Sequence, residues 1–219
     1  MAFSWLSSLV PAFSHAAIAH TSEELLEHEK KRFFNAIQKE DGDTMTVMAQ
    51  KHPDFLKWET EHGSTLKTAQ EMGCFCSFVM LLGMGGNKNE DYGNGWTPLL
   101  SALAKDDKLF YEYLIGSRPN LDAIALDAKG RPITALQLAI DNRSTEAARM
   151  LIEGGALATL PIADKDGTTM TPEEYAVKKG QPKIAEMLRL AGEIRWMGAH
   201  RYDAQQQLKA APPAPPAAA

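Results

Sequence analysis

Thr97-Pro98-Leu99-Leu100-Ser101-Ala102 and Thr134-Ala135-Leu136-Gln137-Leu138-Ala139 share one pattern: threonine, leucine two residues on, and alanine three beyond that. Their alanines belong to a series of five, Ala36, Ala69, Ala102, Ala139 and Ala176, spaced 33, 33, 37 and 37 residues apart. Three residues before each stand Phe33, Leu66, Leu99, Leu136 and Glu173, so only the last departs from an apolar slot. Twelve residues after each stand Met48, Leu81, Leu114, Leu151 and Leu188, all apolar. Five before the last four alanines stand Ser64, Thr97, Thr134 and Thr171. Sixteen after, glycine recurs at Gly85, Gly155 and Gly192, with Arg118 in its place in the third unit. So many positions held in register constitute an internal repeat.

The chemistry of each unit predicts two short helices and a turn. Thr97-Pro98 and Thr171-Pro172 read as an N-cap followed by proline at the first helical position, where the missing N–H costs nothing. Glu174 completes a capping box with Thr171. Gly73 and Gly180 fall four residues after their alanines, where the first helix must stop and reverse. The second helices carry apolar residues at helical spacing: Phe78, Leu81 and Leu82; Tyr111, Leu114 and Ile115; Met150, Leu151 and Ile152; Ile184, Met187 and Leu188. One such pair cannot bury its own apolar face, so the units are expected to stack.

These residues resemble the ankyrin-repeat family. Its T-P-L-H-x-A signature is matched at 97–102 and 134–139, and its closing L-L-x-x-G-A element by Leu151-Ile152-Glu153-Gly154-Gly155-Ala156. The resemblance spans about residues 30 to 195, closest in the third and fourth units. The first, Phe33 to Leu56, keeps two helical patterns without the signature, as suits a cap. It implies an all-α fold, an ankyrin-repeat solenoid of about five stacked helix-turn-helix units with finger-like turns. The signature's histidine slot holds Lys67, Leu100, Gln137 and Glu174, so that histidine's hydrogen-bond network is not expected. The 37-residue spacings lengthen two fingers, Asp122 to Ile133 and Ala158 to Met170, which are expected to project.

The family binds other proteins and does not catalyse, which makes another protein the expected partner of a monomeric chain. Its contacts come from the finger before the threonine slot and from the end of the first helix. Carried over, this picks Glu71 and Met72; Asn94, Trp96 and Lys105; Arg131, Asp141 and Asn142; and Lys178 and Lys179. Trp96 has two readings, a hot spot of the type interfaces favour or packing against the neighbouring finger. Binding would inhibit or scaffold the partner. An alternative is an exported bacterial-type effector or a self-protection (immunity) inhibitor that covers an enzyme's active site.

Composition fits a globular chain with room for one or two domains: 219 residues, 44% hydrophobic and 23% charged. A net charge of −5 argues against a dedicated nucleic-acid binder. No apolar run reaches the roughly 18 residues of a membrane span. Residues 1–22 lack Asp, Glu, Lys and Arg and contain Ala17-Ile18-Ala19, the A-x-A form of a signal-peptidase site. They also lack a basic start and are interrupted by Pro11, so they read either as a leader before a repeat domain over 23–204 or as an export signal. A cytoplasmic location follows from the first reading, and a periplasmic or secreted one from the second. Residues 205–219, rich in Gln, Ala and Pro, read as a disordered tail; Pro212 and Pro215 make a formal P-x-x-P.

Four motifs have chemical readings. Ser64-Thr65-Leu66-Lys67 fits S-x-x-K, where lysine activates a serine nucleophile; the rival reading places Ser64 as a helix cap. Thus a Ser64/Lys67 hydrolase needs a pocket around Ser64, and a binding module needs Ser64 at a helix start. Cys74 and Cys76 are too few for a tetrahedral metal site and too close on the chain for a useful disulfide. His20, Glu23, Glu24 and His28 miss the H-E-x-x-H spacing. Gly83-Met84-Gly85-Gly86 fits a helix C-cap better than a phosphate loop. No metal or cofactor is expected. Charge is uneven: ten acids against six Lys/Arg over 23–63, and six Lys/Arg against two acids over 178–201. Such a gradient either orients a partner or marks two solvated faces.

Overall fold

A computed structural model of the chain describes residues 15–194. The tail over 205–219 and most of the leader lie outside the described residues. The described chain is mostly helical, and it divides into two compact units between Gly86 and Asn87, inside the span that reads as one repeat domain.

The first unit begins with helix α1, His15–Gln38, followed by α2, Gly42–Lys51. Helix α1 runs without a break through the expected leader boundary at residue 22, and Ala17-Ile18-Ala19 lies within it. A single 3-10 turn at Phe55–Lys57 leads to a hairpin of β1, Glu59–Thr60, and β2, Gly63–Ser64. Helices α3, Thr65–Glu71, and α4, Phe75–Gly83, complete the unit. Its core is aromatic: the Phe33 ring meets Phe55 and Trp58 edge-on at 5.4 and 5.6 Å between centroids, a geometry that suits ring quadrupoles. The buried Thr65 hydroxyl lies 2.8 and 3.0 Å from the Phe55 and Trp58 carbonyls, which ties α3 to the turn.

The second unit contains α5, Pro98–Ala104; α6, Lys108–Gly116; β3, Ile124–Leu126; β4, Pro132–Thr134; α7, Ala135–Asp141; and α8, Thr145–Gly154. It continues with β5, Ile162–Ala163; β6, Thr169–Met170; α9, Pro172–Lys178; and a last helix, α10, over 182–194. Within this unit α5 packs on α6 and α7, α7 on α8 and α9, and α6 on α8. First helices therefore meet first helices and second meet second. The two long fingers are antiparallel β-hairpins, β3–β4 and β5–β6, not irregular turns. Among the described residues, no helix is long and apolar enough to cross a membrane.

The repeat register survives in the packing. All five alanines are at most 4% exposed, and the residues twelve later at most 3%. Ser64, Thr97, Thr134 and Thr171 each cap a first helix, accepting the N–H three residues on. The turn between paired helices is the same in every unit. Asp41, Cys74, Asp107, Ser144 and Gln181 each donate their backbone N–H to the carbonyl of the alanine five residues back, at 2.9–3.0 Å. The preceding residue, Glu40, Gly73, Asp106, Arg143 or Gly180, is left-handed, with φ between 52 and 71°. This is the Schellman closure of a helix. Only two of the five are glycine; the other three accept a cost of about 1–2 kcal/mol for a Cβ in that region.

Candidate functional site

The finger before α5 is built by one carboxylate. Asp91 Oδ1 accepts the N–H groups of Gly93 and Gly95 at 2.8 and 3.0 Å, and the Tyr92 N–H donates to the Trp96 carbonyl at 2.7 Å. The chain between is left-handed at Gly93, Asn94 and Gly95. Asn94 is exposed at the tip, and its carbonyl accepts the Leu126 N–H at 2.8 Å. The half-buried Trp96 returns the bond, its Nε1–H donating to the Leu126 carbonyl at 3.1 Å. Trp96 therefore packs as a strut between two fingers.

The next finger repeats the device. Asp127 Oδ1 accepts the Lys129 and Arg131 N–H groups at 2.8 and 2.9 Å, while Oδ2 accepts Arg131 Nε at 2.7 Å. The guanidinium of Arg131, one of the expected partner contacts, is thus held by its own finger. The Arg131 backbone and side-chain bonds hold the Asp127 carboxyl down at about 2. A depressed folded value stabilises this finger above the ordinary carboxylate pKa of ~3.9, and that contribution disappears as pH falls towards 2. In an NMR titration, the Lys129 and Arg131 amide resonances should move together with a midpoint near about 2; a midpoint near 4 would show that the pairing is not kept. In the third finger Asp164 Oδ1 accepts the Lys165 N–H at 2.7 Å. The spacing Asp-x-x-Gly at Asp127/Gly130 and Asp164/Gly167 was the signal for these turns, and reading the threonine slots alone misses it.

The fingers of the second unit form a row. Strand β4 packs against β5, and Gln137 Nε2 donates to the Ala163 carbonyl at 3.3 Å. At the histidine slot of the fourth repeat, Gln137 therefore makes a single bond to the neighbouring finger, not the histidine network of the family. On the outer face of this row Ile124 and Leu126 are 48% and 44% exposed, and Pro132, opposite Leu126 in the ladder, is also exposed. Neither apolar residue was among the expected contacts, although both lie in the finger expected to project.

The first-helix ends are mutually bonded. Asn142 donates through Nδ2 to the Leu103 carbonyl, and Gln181 through Nε2 to that of Ile140. Asp141 Oδ1 accepts the Tyr175 hydroxyl and pairs with Lys179, both at 2.8 Å, while the Lys179 ammonium lies 4.8 Å from the Tyr175 ring centroid. Asp141 holds the Lys179 pKa above its ordinary value, and burial pushes that of Tyr175 up. Lys178 pairs with Asp164, and Arg189 with Glu186 and Glu193. The basic surplus counted over 178–201 is therefore largely spent within the fold where it is described. Lys105 is exposed at the C-cap of α5. In the first unit Glu71 and Met72 are exposed at the end of α3.

The motifs with chemical readings have local roles. Ser64 Oγ accepts the Lys67 N–H at 3.2 Å, as a helix cap does. Cys74 is buried and Cys76 exposed; burial raises the Cys74 thiol pKa. Gly86 closes α4 by donating to the Leu81 carbonyl at 2.9 Å. Among the described residues no group of three or more His, Cys, Asp or Glu could hold a metal ion. No family model matches the chain, and no curated protein matches it.

Proposed function

We propose that the chain is an ankyrin-type repeat protein of about five helix-pair units, without catalytic activity, whose fingers and first-helix ends bind a protein partner. The observation that carries this reading is the row of hairpins with Ile124, Leu126 and Pro132 facing solvent beside Trp96. Their backbone is already ordered by the aspartate-centred turns and by the Leu126 bonds to Asn94 and Trp96. Docking on ordered fingers costs little further conformational entropy. Exposed apolar side chains beside a rigid aromatic are the composition of an interface centre. Lys105, Asp141, Lys178 and Lys179 then serve as a polar rim, with the last three orienting through pairs already made within the fold.

The test is a capture experiment with the intact chain as bait, repeated with Ile124→Ser/Leu126→Ser. Both side chains are largely exposed, so the thermal melt should barely move. A partner retained by the intact chain should bind the variant at least tenfold more weakly. Equal retention of every captured protein would remove the hairpin face from the binding surface.

A further inference from the structure

Sequence counting makes residues 23–63 acidic, but the fold sorts their charges. His28, Lys31, Arg32 and Asn35 recur at the three- and four-residue spacing that places them on one face of α1, and Lys39 follows directly after its last residue. They line a groove of about 480 Å³ whose other wall includes Asp41 and Thr44 at the start of α2. His28, Lys31, Arg32, Asn35 and Lys39 are all exposed. Neighbouring Lys30 and Lys51 pair with Glu27 and Glu29, whereas Lys31, Arg32 and Lys39 make no ion pair within 4 Å among the described residues, although Arg32 is close enough to Asp41 to help lower its pKa. The groove holds one carboxylate, Asp41, which accepts the Thr44 N–H at 3.0 Å and its hydroxyl at 2.7 Å and keeps its charge.

We infer that this groove binds a short acidic run on a partner protein, a site that extends the protein-binding reading above and rests on it. From residue 28 to 39 the stripe is about 16 Å long at ~1.5 Å per residue, the span of about five extended residues. At one end the exposed acids Glu23, Glu24 and Glu27 share a second depression with His28 and Lys31; at the other stand Glu40 and Asp43. A long polyanion such as a nucleic acid would have to run past these carboxylates. A segment of four or five residues carrying several carboxylates fits between them. Three cations face the single Asp41 carboxylate in this groove, so an acidic segment meets a net positive surface without breaking an ion pair within 4 Å.

The probe is fluorescein-labelled pentaglutamate, titrated with the full chain and followed by anisotropy at low salt. Saturable binding is expected, weakening as salt screens it. It should fall at least tenfold in Lys31→Glu/Arg32→Glu/Lys39→Glu, and severalfold in the milder Lys31→Ala/Arg32→Ala/Lys39→Ala. Both variants should keep the wild-type circular-dichroism melt, because the three side chains are exposed. The Ile124→Ser/Leu126→Ser variant should bind pentaglutamate as the parent does, so failure of the hairpin face and failure of this groove are read separately. No saturable binding by the parent, equal binding by the charge-reversed chain, or tighter binding of a five-nucleotide oligothymidine would overturn the inference.

Discussion

Gly95→Ala should lower the melting temperature by roughly 10–20 °C, the largest effect expected of any one-methyl change in the fingers. Two costs combine. Gly95 sits at φ +79°, where a Cβ is disfavoured by about 1–2 kcal/mol. That Cβ would also lie 2.3 Å from the Ile124 carbonyl oxygen. The obstacle is backbone, so no side chain can swing away, and relief requires moving β3. Overpacking of this kind costs about 1–3 kcal/mol. Together these make ~3 kcal/mol, which for a unit of about 100 residues is the stated shift. Displacing β3 also breaks the Leu126 bonds to Asn94 and Trp96. Gly93→Ala is the control: its φ is +112°, but no atom lies within 4 Å of the added methyl. Equal melts for the two variants would mean that the close approach at Gly95 does not exist in solution.

The second large effect is expected at Leu151. Its side chain is fully buried in α8, which packs on both α6 and α7. Leu151→Ala should cost about 2–5 kcal/mol by leaving a cavity where helix pairs meet. Because α7 in turn supports α9, loosening should reach the C-terminal end of the described chain. Urea denaturation measures the cost, and amide exchange in α9 measures its spread. The half-exposed neighbour Met150 should lose much less on truncation to alanine. An unchanged urea midpoint for Leu151→Ala would contradict its placement in the core.

Most of the secondary structure was legible because its signals are local. Thr97, Thr134 and Thr171 cap helices in the slots their spacing assigns, and Glu174 closes its capping box. The alanine and leucine slots, read as a repeat, are the buried positions. The aromatic core of the first unit was less legible. Phe55 and Trp58 belong to no repeat slot, and only their distance to Phe33 shows that they share its cluster. The candidate contacts lie on fingers and helix ends, but which of them stay available to a ligand was not legible. Trp96 and Arg131 are engaged within the fold, while Ile124 and Leu126 are the exposed apolar residues of that row.

The sequence by itself determined the helices, their caps, the buried register and the sites of the fingers, since each depends on residues a few positions apart and on slots that recur at a spacing of 33 or 37 residues. Only the tertiary structure decided which charges and aromatic edges remain for a ligand. Lys178 and Lys179 are neutralised by Asp164 and Asp141, residues that belong to the preceding finger and the preceding first helix. Lys31, Arg32 and Lys39 are gathered into a groove inside a stretch whose composition is acidic. The physical reason is range. Capping and helical periodicity act over one or two turns of chain, whereas an ion pair depends on separation in space, which composition along the chain does not encode.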